Sequence, residues 1–113
     1  MAMSPSQLGA AFELRVKARL EKAGFFVIKS GGSRGVADLV ALRHGSPPLM
    51  VQAKRGGYVG VDEWNRLLKA AEAAGALPLV AEQLQPRGCR WWLLRAPKGL
   101  SKGRQPWDEW FLT

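Results

Sequence analysis

Two short apolar segments, residues 35–42 and 49–54, each carry a polar residue where a buried strand would not hold one without cause. The first contains Asp38 and the second ends in Gln52-Ala53-Lys54. Between them lies Arg43-His44-Gly45-Ser46-Pro47-Pro48, a run of turn-forming residues, so the two strands are expected to fold back as a hairpin. Strand alternation puts Gln52 and Lys54 on one face and Ala53 on the other, with the Ala53 backbone carbonyl still exposed to a ligand. A carboxylate, an amide oxygen and an ammonium then share one neighbourhood. Such a set suits a hard divalent cation beside a lysine.

The remaining elements follow from periodicity. Leu8, Phe12, Val16 and Leu20 recur every four residues and predict a first helix from a Ser6 cap to about Ala23, closed by Gly24. Glu13 borders that apolar stripe, where the simplest role for it is an i,i+4 pair with Lys17. A strand over 25–29 and a glycine-bearing loop over 30–35 come next. Asp62 is expected to cap a second helix through about Ala74, with Trp64, Leu67, Leu68 and Ala71 inward. Strands over 77–81 and 90–94 are joined by the turn Gln85-Pro86-Arg87-Gly88, and a basic tail over 96–113 ends in aromatic residues. The order α-β-β-β-α-β-β predicts one α/β domain over 1–113, with a core over 6–95 and a mixed sheet flanked by helices.

Charge narrows the partner. Lys and Arg number 17 against 9 Asp and Glu, a net charge of +8 on 113 residues, which favours a polyanion such as nucleic acid over a merely solubilising surface. No apolar run approaches the ~20 residues of a membrane helix, and the N-terminus lacks the pattern of a signal peptide. A single cysteine, Cys89, excludes an intrachain disulfide and a cysteine-based zinc cluster; a reducing cytoplasm is the expected setting. Cys89 and His44 read as structural. Of the five tryptophans, Trp64 and one of the adjacent Trp91 and Trp92 are expected in the core, with Trp107, Trp110 and Phe111 docking the tail on the body or on a partner subunit.

Glu13 in the first helix, Asp38 after a glycine-rich loop and Gln52-x-Lys54 in a strand resemble the PD-(D/E)xK nuclease pattern, within which the chain resembles the archaeal-type Holliday junction resolvases from about Gly9 to Val80. The resemblance implies a restriction-endonuclease-like fold. It also implies Mg²⁺, with Mn²⁺ as a substitute, bound through Glu13, Asp38, Gln52 and the Ala53 carbonyl. Lys54, Ser33, Glu13 and Asp38 would be the catalytic residues. Its further implications are a homodimer that cuts opposing strands of branched DNA, above all four-way junctions, no small-molecule cofactor, and a prokaryotic or viral source. Lys29, Arg34, Arg43, Arg55 and Arg66 are expected to contact phosphates beside the site. Two positions depart from the pattern: Ala37 replaces its proline, and Gln52 replaces its usual glutamate, which removes a charge from the metal. The chain reads as a variant active site. A small nuclease for flaps, nicks or duplex, and a non-catalytic basic DNA-binding module, are the alternatives.

Overall fold

The computed structural model describes residues 2–30, 35–99 and 104–113. Ser33 and Arg34, expected in catalysis and DNA contact, lie outside the described residues.

Helix α1 (Pro5–Lys22) begins two residues earlier than the sequence predicts. Ser4, not Ser6, is its cap: the Ser4 hydroxyl accepts from the Gln7 N–H at 3.2 Å, and the Gln7 side chain accepts from the Ser4 N–H at 2.8 Å. This reciprocal box satisfies two of the free donors at the helix start, and Pro5 fits at the first helical position because its missing N–H costs nothing there. Phe12, Val16 and Leu20 form the buried stripe as expected.

Among the described residues six strands form one sheet in chain order: β1 (Phe26–Lys29), β2 (Leu39–Leu42), β3 (Leu49–Lys54), β4 (Leu77–Gln83), β5 (Cys89–Leu94) and β6 (Trp107–Trp110). Neighbours are antiparallel except β3 and β4, which run parallel and are connected through α2 (Val61–Ala74). A parallel pair needs such a crossover, which is why the helix falls at this point in the chain. The cap of α2 also differs from expectation. Gly60 occupies it without a side-chain bond, and Asp62 sits in the first turn. Gly75 ends the helix with φ 65, a left-handed conformation that glycine adopts without a Cβ penalty.

Helix α1 covers one face of the sheet, burying Phe12, Val16 and Leu20 against Val27, Leu39, Ala41, Leu49 and Val51. Helix α2 covers part of the other, burying Trp64, Leu67 and Leu68 with Val80 and Leu94. Among the described residues no helix covers the β1–β2 end of that second face: Phe26 opposite Leu42, and Ile28 opposite Val40, leave Phe26 69%, Ile28 46% and Leu42 41% exposed.

Strand β6 is an addition to the predicted order. Its Trp107 lies 4.8 Å from Trp92, stacked at 13°, and 5.2 Å from Trp64 on α2. On the opposite face Trp110 meets Trp91 edge-on at 5.9 Å. Trp64 and Trp91 are buried while Trp92 is half-buried, and the tail docks through Trp107 and Trp110 as expected; Phe111 stays exposed.

Candidate active site

The hairpin brings Asp38 to β3, but in a different way from a plain strand. Strand β2 starts only at Leu39, not at Gly35. Asp38 is still bound through its backbone on both sides, its N–H donating to Val51 at 2.8 Å and its carbonyl accepting from Ser30 at 2.9 Å. Its side chain then does what a continued strand would have done: Oδ2 accepts the Ala53 N–H at 2.8 Å. This is the physical cause of a carboxylate within an apolar run. It completes the hydrogen bonding of β3 where β2 has ended, since an unmet buried N–H is costly.

The segment over 35–37 turns away from the sheet and carries the Val36 carbonyl over Gln52. Gln52 is 6% exposed, and its Nε2 donates to that carbonyl at 2.6 Å. A carbonyl only accepts, so chemistry fixes which end of the amide faces it. The Gln52 oxygen is left as the end available to the cleft.

Helix α1 supplies Glu13. The expected pair with Lys17 does not form; Lys17 binds Glu21 at 3.0 Å instead. Glu13 faces the sheet, 3.8 Å from Lys29 Nζ, with its side chain 20% exposed. Burial, then the charge of Asp38, raise its pKa above the ordinary carboxyl value, and Lys29 partly opposes them. Glu13 and Asp38 thus face one cleft, near enough for their charges to interact. Helix α2 closes the other side, where Glu63 Oε2 lies 2.6 Å from Lys54 Nζ.

Together these side chains line a cleft of about 480 Å³ between the two helices, with Ser6, Gly9, Ala10, Gly35, Val36, Ala53 and Arg66 around them. At roughly 30 Å³ per water, it has room for a phosphodiester and its hydration. Glu13, Asp38, Gln52, Ala53 and Lys54 converge as the sequence implies, and Lys29 and Arg66 stand beside them. Three expected DNA contacts do not line it: Lys29 reaches its edge only through Glu13, and Arg43 and Arg55 are engaged elsewhere. Arg43 is tied elsewhere, donating to the carbonyls of Ala23 at 2.7 Å and Thr113 at 2.8 Å and lying 4.1 Å over the Phe25 ring. Arg55 donates to Gln83 at 3.0 Å on the surface. Glu63 is the cleft residue that sequence reasoning missed; its signal was an acidic residue in the first turn of the helix that follows Lys54.

The donor set is all oxygen: two carboxylates, an amide oxygen and the Ala53 carbonyl. It fits a hard divalent cation, whose charge would offset the burial and the Asp38 charge that raise the Glu13 pKa. Among the described residues no group of three His, Cys, Asp or Glu side chains closes to metal-holding distance. The neutral Gln52 accounts for that, because the strand contributes an amide in place of a third carboxylate.

Comparison with known proteins is consistent in direction. The family model for archaeal Holliday junction resolvases matches residues 4–106. The crossover junction endodeoxyribonuclease Hjc of Methanocaldococcus jannaschii is 37% identical over 76 residues, covering 65% of this chain and 56% of that protein; the chain thus spans little more than half the length of this relative. The solved structure of Archaeoglobus fulgidus Hjc, a Holliday junction resolvase from an archaeal hyperthermophile, superposes with a TM-score of 0.63 at 30% identity, covering 74% of this chain and 70% of that one.

Proposed function

Because the chain belongs to the archaeal Holliday junction resolvase family, we propose that its cleft is the active site of a divalent-metal-dependent endonuclease that resolves four-way DNA junctions. The observation that carries the reading is the convergence of Glu13, Asp38, Gln52 and Lys54 from α1, the hairpin and β3 into one cleft of a strongly basic chain.

Glu13, Asp38, the Gln52 oxygen and the Ala53 carbonyl would hold Mg²⁺ or Mn²⁺. An ion held there would supply polarisation of the scissile phosphate and a more acidic water. The chain's own residues do the rest. Asp38, held by three hydrogen bonds through its backbone and side chain, keeps its second carboxylate oxygen for the cleft. Lys54 presents its ammonium to the charge that develops on the phosphate oxygens. Arg66 and Lys29 bind flanking phosphates from opposite sides of the cleft. Ser33 is proposed to join them.

Paired cutting needs two sites, and a homodimer is part of the proposal. The helix-free sheet face bearing Phe26, Ile28, Val40 and Leu42 supports it, since contiguous exposed apolar surface marks a partner contact. Among the described residues no helix is long and apolar enough to cross a membrane, and action on DNA in the cytoplasm is the proposed setting.

The test is incubation of a labelled four-way junction, and of a linear duplex of the same sequence, with Mg²⁺, Mn²⁺ or chelator. Metal-dependent, symmetric cuts in the junction alone are expected. Equal cleavage of the duplex would replace junction resolution with a general nuclease, and binding without cleavage in either metal would leave only a DNA-binding module.

A further inference from the structure

Only residues 55–60 separate β3 from α2, so the first turn of the helix comes back over the strand end that carries Gln52 and Lys54. Glu63 sits in that turn with one carboxylate oxygen engaged. Oε2 binds Lys54 Nζ at 2.6 Å. A lysine stem left to itself samples many rotamers, so an ammonium that must meet a developing charge gains from being fixed beforehand.

Gln52 makes this contact informative. Gln52 and Lys54 lie on the same face of β3, and in the family pattern the residue two before the lysine is acidic. Here it is neutral, and its Nε2 is committed to Val36 at 2.6 Å. The negative charge that meets Lys54 therefore comes from α2 rather than from β3 itself. Among the described residues, Glu63 is the carboxylate that reaches the lysine.

We propose that Glu63 is a positioning residue for the cleavage reaction, holding the Lys54 ammonium in the place where it meets the scissile phosphate. The inference rests on the endonuclease reading of the cleft. A helix-start glutamate in a surface ion pair would contribute little and would be replaceable without loss; a positioning residue would not.

The test compares Glu63→Gln, Glu63→Asp and, as a control for charge in the same helical turn, Asp62→Asn. Three quantities are read: single-turnover cleavage of a four-way junction, junction affinity in chelator, and the ¹⁵N ammonium resonance of Lys54 in metal-free protein. Glu63→Gln is expected to slow cleavage on the order of 10²-fold, the scale of a displaced reactive group, with affinity unchanged and the Lys54 resonance broadened or lost. Glu63→Asp should recover part of the rate, and Asp62→Asn should cleave as the unsubstituted protein does. The Glu63 side chain is 39% exposed, so its exchange for glutamine leaves the fold intact, which circular dichroism checks. Undiminished cleavage by Glu63→Gln, an equal loss in Asp62→Asn, or slowed cleavage with an unmoved Lys54 resonance would each overturn the proposal. Cleavage by the unsubstituted protein is scored first: its absence removes the endonuclease reading, whereas its presence beside a fully active Glu63→Gln removes the positioning role alone.

Discussion

The amide of Gln52 donates to the backbone carbonyl of Val36 at 2.6 Å, tying the strand that carries Lys54 to the segment that leads into Asp38. A glutamate in this place would press an acceptor against an acceptor. Restoring the family's usual residue is therefore not a neutral change: Gln52→Glu is expected to cost about 1–3 kcal/mol, the range for a buried polar group that loses its partner. Urea denaturation of the metal-free protein measures it, and an unchanged midpoint would show that the Val36 bond contributes nothing.

Glu13 gives a pH signature. Its pKa is raised by burial and by the charge of Asp38, so the folded protein holds this proton more tightly than the unfolded chain does. The stability that Glu13 contributes is then full below its ordinary value of 4.5 and is lost as pH rises through the higher folded value. A glutamine has no such loss. In chelator, the stability of Glu13→Gln relative to the unsubstituted protein should rise from acid to neutral pH. A difference that stays flat or falls over that range contradicts a Glu13 pKa raised by burial and by Asp38.

Arg43 and Arg66 should separate cleanly. Arg43 bonds two carbonyls and covers Phe25, so Arg43→Ala is expected to lose about 1.5–3 kcal/mol of stability, the range for hydrogen bonds to a charged group, while DNA affinity holds. Arg66 lines the cleft, and Arg66→Ala should weaken binding and lower the slope of log affinity against log salt by about 1. Salt titrations of DNA binding beside thermal melts decide between the two roles.

The dimer proposal has a direct probe in Phe26, 69% exposed and paired across the strands with Leu42. Phe26→Asp places a charge in the apolar face without disturbing the core beneath. Sedimentation should show a dimer converted to monomer; a dimer of undiminished stability would move the interface elsewhere.

Much of this was legible in the residues. The hydrophobic period set α1 and α2, and the inward positions Phe12, Val16, Leu20, Trp64 and Leu67 are buried as the spacing requires. The hairpin and the gathering of Asp38, Gln52 and Lys54 followed from turn chemistry and strand alternation. Strand β6 did not, because Trp107 and Trp110 are three apart and flank two acidic residues, which leaves no alternating pattern. It is specified by cross-sheet contacts, Trp107 on Trp92 and Trp110 on Trp91. Arg43 and Glu63 were obscured for the same reason: their partners are 20 residues and 9 residues away along the chain, joined only when the sheet has formed. Ser4 and Ser6 offer the same cap chemistry, and only the reciprocal bond from Gln7 selects Ser4.

The most direct test of the cleft as a phosphodiesterase site is Asp38→Asn on a labelled four-way junction in Mg²⁺. An asparagine can keep its oxygen on the Ala53 N–H, so the fold and the bond at 2.8 Å survive while the charge is removed. The expected result is loss of cleavage with junction binding retained. Cleavage at the unsubstituted rate would contradict the assignment of this cleft as the active site.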